Sequence, residues 1–98
     1  MINVADYIRI LLEKKGWTRL KLCDEINKIE KELGETRTSP NHITCYLNGT
    51  YAFRPKILAK WEKALHLKEG TLMNMVAPPI TKEGREELKE TINKLRRI

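Results

Sequence analysis

The chain has 98 residues, of which 19 are Lys or Arg and 13 are Asp or Glu, so its formal net charge is +6. This length fits one domain and leaves little room for an enclosed cofactor pocket with a catalytic constellation. An apolar fraction of 41% is too high for a disordered chain, and no apolar run approaches the roughly 18 residues of a membrane span. The positive net charge favours an acidic partner, most commonly nucleic acid.

The N-terminal segment and the two cysteines favour a protein of a reducing compartment, and the cysteines do not match a metal site or a catalytic nucleophile. Asp6 and Glu13 in the first helix, and the lack of a small-residue cleavage site, argue against a secretory signal. Cys23 and Cys45 are too few for a disulfide framework, so we expect a cytoplasmic protein. The Cys and His residues lack the paired spacing of a zinc site, and a Cys–His nucleophile has no orienting acid nearby. We therefore expect no metal, no cofactor and no enzymatic activity.

Four helices are predicted before residue 66, because apolar side chains recur at helical spacing and capping residues flank each run. In the first, Val4, Ile8 and Leu12 form one apolar face. Ser39 followed by Pro40 is a typical helix start, since the missing N–H of proline costs nothing at the first position. The predicted helices are Val4 to Lys15 after Asn3, Arg19 to Leu33 after Thr18, Pro40 to about Leu47 after Ser39, and one beginning at Pro55.

The last third of the chain is predicted to contain a short turn, a linker and one more helix. The turn runs from Leu72 to Val76, and Ala77-Pro78-Pro79 is the only linker-like segment. Thr81 caps a helix that continues to the C-terminus, with acids early and bases late, as the helix dipole favours.

An apolar stripe on this last helix predicts that the helix is covered. The stripe either docks on its own domain or pairs with a second copy of the chain. Of these two arrangements we expect dimerisation through this helix. The predicted dimerisation residues are Leu88, Ile92 and Leu95.

Positive charge is concentrated in the middle of the chain. Residues 36–61 contain Arg37, Arg54, Lys56 and Lys60 and no Asp or Glu, although 33% of all residues are charged. The absence of carboxylates is expected where a polyanion faces the chain. The alternative is a polar loop and a buried helix that lack acids by chance.

Four segments, in this order, resemble the XRE-like family of phage-repressor and Cro-like helix-turn-helix domains. The resemblance covers about residues 5–76 and implies an all-α, compact bundle of about five helices. It implies a DNA-binding domain at 1–76, a linker at 77–79 and a C-terminal helix at 80–98. The matching segments are GWTRLKLC at 16–23, similar to the turn and second helix, SPNHITCYLNG at 39–49, similar to the recognition helix, and RPKIL at 54–58 with WEKALHL at 61–67, similar to the fourth helix.

The chain departs from this family between the second and third helices. The usual link is a turn of three or four residues, whereas about ten residues are added here between Ile26 and Ser39. We interpret them as extra turns of the second helix plus a loop at 35–38. The added apolar residues Ile29 and Leu33 need a cover, which the C-terminal helix or a second subunit would provide.

The resemblance places the base-reading side chains on the helix that begins at Pro40. A helix fits the major groove with its first turns facing the base edges. Asn41 can pair with adenine through two hydrogen bonds, and His42 and Thr44 can donate or accept. Pro40 has no donor and at most contacts a thymine methyl. The predicted base-reading residues are Pro40, Asn41, His42, Thr44 and Cys45.

Side chains outside this helix are expected to bind phosphate groups. The family places such a contact at the start of the second helix, where this chain has Thr18 and Arg19, and Arg37 lies in the added loop. About six phosphate contacts per bound unit predict an affinity that falls steeply with salt. The predicted phosphate-binding residues are Thr18, Arg19, Arg37, Asn48, Thr50, Arg54 and Lys56.

These expectations combine into a small repressor that binds a double-stranded DNA operator as a homodimer, from a bacterium, its phage or another mobile element. One alternative is a protein-binding module, such as an antirepressor, which the elongated second helix favours. Another is an antitoxin-like regulator that binds DNA and uses residues 77–98 to hold a partner protein.

Overall fold

A computed structural model describes residues 3–75 and 82–97, which form one bundle of α-helices without a strand in those ranges. The predicted all-α fold is confirmed. The predicted linker at 77–79, the cap at Thr81 and the end of the short turn at Val76 lie outside the described residues. The helices are α1 (Val4–Lys15), α2 (Arg19–Leu33), α3 (Pro40–Leu47), α4 (Pro55–Ala64) and α5 (Lys82–Arg96), with a 3-10 turn at Met73–Met75.

The helix boundaries follow the predicted caps. The side chains of Asn3 and Thr18 accept the backbone N–H of the third helical residue at 2.8 and 3.1 Å. Gly16 and Gly34, which follow α1 and α2, have φ of 68° and 72°, a left-handed conformation that glycine adopts without steric cost. The predicted extent of α2, from Arg19 to Leu33, is confirmed.

The core is formed by facing sides of all five helices and the turn before α5. Trp61 of α4 is fully buried, and Cys23 is also buried. Trp17 is half-buried and packs against the edge of the core, and the ammonium groups of Lys15 and Lys21 lie 5.3 and 5.6 Å from its ring centroid. The largest fully buried side chains are Trp61, Ile8, Leu22, Ile26, Ile43, Leu58, Leu65 and Leu72.

Helix α5 packs on α4 and α2 of the same chain. Leu95 is buried, and Leu88 and Ile92 are half-buried against the core. The sequence left open whether this stripe docks on its own domain or pairs with a second copy. In the structure it docks on its own domain. Dimerisation through Leu88, Ile92 and Leu95 stays a prediction, and Leu88 and Ile92 keep part of their surface accessible in the single chain.

Two charged side chains of α4 are buried and form specific bonds. Lys60 Nζ lies 3.0 Å from Glu30 Oε2 and 3.3 Å from Glu35 Oε2. These ion pairs connect α4 to α2 and to the loop that follows α2. Glu62, 2% exposed, accepts the backbone N–H groups of Gly70, Leu72 and Met73. These bonds satisfy charges that would otherwise be costly to bury.

Candidate nucleic-acid interface

Helix α3 is held by one apolar edge and presents its first turn to solvent. Ile43 and Leu47 are buried, whereas Pro40, Asn41 and His42 are exposed. This division follows from helical periodicity, because residues four apart share a face. The predicted base-reading residues Pro40, Asn41 and His42 are thus brought together on one open surface, and Thr44 and Cys45 are half-buried behind them.

Arg19 at the start of α2 reaches across to α3. Its guanidinium donates to Thr44 Oγ1 at 3.3 Å, and the same hydroxyl donates to the Pro40 carbonyl at 3.4 Å. The Thr44 hydroxyl therefore already donates and accepts within the protein. This geometry places a guanidinium beside the outer face of α3, and it makes Thr44 a support for Arg19.

The N-terminus of α3 is closed by a capping box. Ser39 Oγ accepts the His42 N–H, and His42 Nδ1 accepts the Ser39 N–H, both at 3.3 Å. Both side chains sit beside the first turn, so the backbone of this turn and the His42 ring are fixed together. The Tyr51 ring lies 6.0 Å from the His42 ring and packs on its side.

The loop at 35–38, which precedes α3, is held by hydrogen bonds to side chains of α2. The Thr38 N–H is shared between Asn27 Oδ1 and Glu30 Oε1, both at 2.8 Å, and Cys23 Sγ donates to the Thr38 carbonyl at 3.2 Å. Burial raises the pKa of the Cys23 thiol, which keeps it a protonated donor. Arg37 is exposed next to this anchored residue.

Residues 36–61 contain no Asp or Glu, but in the folded structure carboxylates from outside this stretch lie close to its cations. Besides the Lys60 bonds already described, Lys56 Nζ lies 3.7 Å from Glu35 Oε1 and 3.5 Å from Glu87 Oε1 of α5. Arg37 and Arg54 are exposed and form no ion pair with the residues that the structure describes. The cationic charge available to a ligand is therefore smaller than the sequence suggests, because helices distant in sequence supply carboxylates.

The remaining predicted phosphate contacts lie at turns. Asn48 Oδ1 accepts the Thr50 N–H at 3.0 Å and the Thr50 hydroxyl at 2.6 Å, which shapes the turn after α3. Thr18 uses its hydroxyl oxygen to cap α2. All three side chains are exposed. The Asn48 amide and the Thr18 hydroxyl keep donors accessible to an anion, whereas the Thr50 hydroxyl already donates to Asn48.

An aromatic cluster that the sequence did not reveal supports α3 from the side of α4. The Tyr46 ring packs on Tyr51, Phe53 and Trp61, with centroids 5.4, 5.2 and 5.6 Å away. Burial raises the pKa of the Tyr46 phenol. The two loop aromatics, Tyr51 and Phe53, thus pack on their own domain, although Tyr51 remains 43% exposed.

An open groove of about 1140 Å³ runs beside this cluster. It brings His42 and Thr50 to the same concave surface as Arg54 and Lys56. The predicted residues near α3 and those at the start of α4 therefore line one continuous feature. Glu30, Glu35 and Glu87 also line it, so its electrostatic character is mixed.

Comparison of the chain with protein families, with curated proteins and with solved structures found no match. Among the described residues, no helix combines the length and the apolar character needed to cross a bilayer.

Proposed function

We propose that the chain is a transcriptional regulator that binds double-stranded DNA sequence-specifically, with α3 in the major groove, and that it represses by occupying an operator. The observation that carries the proposal is the outer face of α3. An eight-residue helix presents Pro40, Asn41 and His42 to solvent, and a guanidinium from α2 lies beside it. A helix whose exposed first turn carries polar side chains suits base-edge recognition.

The cations around α3 support the same function. Arg19 lies beside Thr44, Arg37 is exposed in the loop before α3, and Arg54 is exposed before α4. Guanidinium groups pair with phosphate oxygens through two parallel hydrogen bonds. Contacts of this kind fix the register of a recognition helix without reading sequence.

The test is selection of binding sites from a random duplex library, followed by fluorescence anisotropy with the selected duplex and with a scrambled one. At about 150 mM salt we expect a Kd near 10⁻⁸ M, at least ~10³-fold tighter than for the scramble. Equal micromolar binding to both, lost as salt rises, would contradict sequence-specific recognition.

The protein-binding alternative rested on the elongated second helix, which the structure retains. Ile29 is buried and Leu33 is half-buried against the core, so the extended part of α2 does not present an open apolar stripe. If the selection enriched no sequence, a protein partner would become the next hypothesis.

Within the proposed DNA complex, Arg54→Gln is expected to weaken binding more than Lys56→Gln. Arg54 is exposed without a carboxylate partner among the described residues, whereas Lys56 is already close to Glu35 and Glu87. Loss of one phosphate contact should lower the slope of log K against log salt by about 1. Anisotropy across a salt series gives both slopes, and an equal or larger effect of Lys56→Gln would contradict this prediction.

A further inference from the structure

The capping box of α3 determines which atom of His42 is free to meet a ligand. The Ser39 N–H donates to His42 Nδ1 at 3.3 Å. A ring nitrogen that accepts an N–H carries no proton, so in the neutral imidazole the proton is on Nε2. The ring geometry directs Nε2 away from Ser39, and the side chain is exposed.

The ring is also held in this orientation. Tyr51 packs on one side of it, and the reciprocal bond from the His42 N–H to Ser39 Oγ fixes the backbone below it. Within the described residues, Nε2 makes no hydrogen bond. The first turn of α3 therefore presents one directed N–H donor next to the Asn41 amide.

We infer that His42 contributes to specificity by donating from Nε2–H to a base edge, which favours guanine over cytosine at its position; this inference rests on the proposed function. Guanine presents two adjacent acceptors, N7 and O6, in the major groove. Cytosine presents only its amino donor there. An N–H group that cannot accept a hydrogen bond is attracted by the guanine acceptors and repelled by the cytosine amino group. It therefore distinguishes these two bases.

Two variants of His42 test whether the side chain must donate to the base, and both keep the capping bond from the Ser39 N–H. Gln and Glu are the usual third residues of a capping box, so His42→Gln and His42→Glu retain the bond from the Ser39 N–H. With that bond made, Gln still presents an amino donor, whereas Glu presents acceptors only. His42→Ala removes the contact without adding charge and serves as a second test if His42→Glu binds no duplex.

The measurement is the relative affinity of wild type and variants for the selected duplex and for duplexes that differ from it at one base pair. Wild type and His42→Gln should prefer guanine over cytosine at one shared position by about tenfold. His42→Glu and His42→Ala should lose that preference and keep those at other positions. Unchanged preferences in both His42→Glu and His42→Ala would overturn the inference.

The tautomer is measured independently of DNA. Long-range ¹H–¹⁵N correlation spectra of the free protein distinguish the protonated ring nitrogen, and we expect Nε2. A proton on Nδ1 would overturn the inference and leave the proposed function intact. A selection that enriches no sequence would overturn the proposed function, and with it the role of His42 on DNA.

Discussion

Replacing Lys60 by methionine is expected to lower the free energy of unfolding by about 3–5 kcal/mol. The change keeps an unbranched apolar chain as far as the ε position but removes the ammonium that lies 3.0 Å from Glu30 Oε2. Both residues are nearly inaccessible, with side chains 6% and 3% exposed, so the Glu30 carboxylate would be left buried without its cation. Chemical denaturation measures the difference.

A matched control lies three residues along the same helix. Lys63 is exposed, so Lys63→Met should change stability by no more than about 0.5 kcal/mol. The double variant Glu30→Gln, Lys60→Met should recover much of the loss, because Gln still accepts the Thr38 N–H and no charge stays buried. If Lys60→Met and Lys63→Met had equal effects, the buried ion pair would not hold α4 to α2 as described.

Replacing Glu62 by alanine is expected to cost about 3 kcal/mol or more. Its carboxylate accepts the N–H groups of Gly70, Leu72 and Met73, and the variant leaves these donors without an acceptor. Leu72 belongs to the core, so loosening this turn also exposes apolar surface. Hydrogen exchange should show faster exchange of these three amides together with the loss of stability.

Glu69 gives the comparison for a surface carboxylate. It pairs with Arg96 at 2.9 Å, but both side chains are largely exposed. Glu69→Ala should therefore cost no more than about 1 kcal/mol. Unaltered exchange of the Gly70, Leu72 and Met73 amides in Glu62→Ala would contradict the role given to the Glu62 carboxylate.

Local signals in the sequence were sufficient to predict the helices. Capping side chains and glycines act within a few residues, so Asn3, Thr18 and Ser39 indicated where helices begin, and Gly34 where α2 ends. The exposed first turn of α3 follows from the same short-range periodicity. Its candidate role in base reading came from the resemblance and remains a prediction.

Long-range pairing could not be predicted in the same way. Residues 58–62 of α4 are all buried, so no apolar stripe distinguishes an inward Lys60 or Glu62 from an outward one. The partner of Lys60 is 30 residues away in α2, and Glu87, which approaches Lys56, is in α5. The apolar stripe of α5 predicts that this face of the helix is buried. Its periodicity does not identify the surface that buries it.

The base preference of Asn41→Ala, measured at every position of the selected duplex, decides whether α3 is the recognition helix. If α3 reads the major groove, the variant should lose about 1–3 kcal/mol of discrimination at one position and keep the others. The salt dependence should not change, since Asn41 carries no charge. If Asn41→Ala bound every single-base variant of the duplex with the wild-type affinities, α3 would not be the recognition helix.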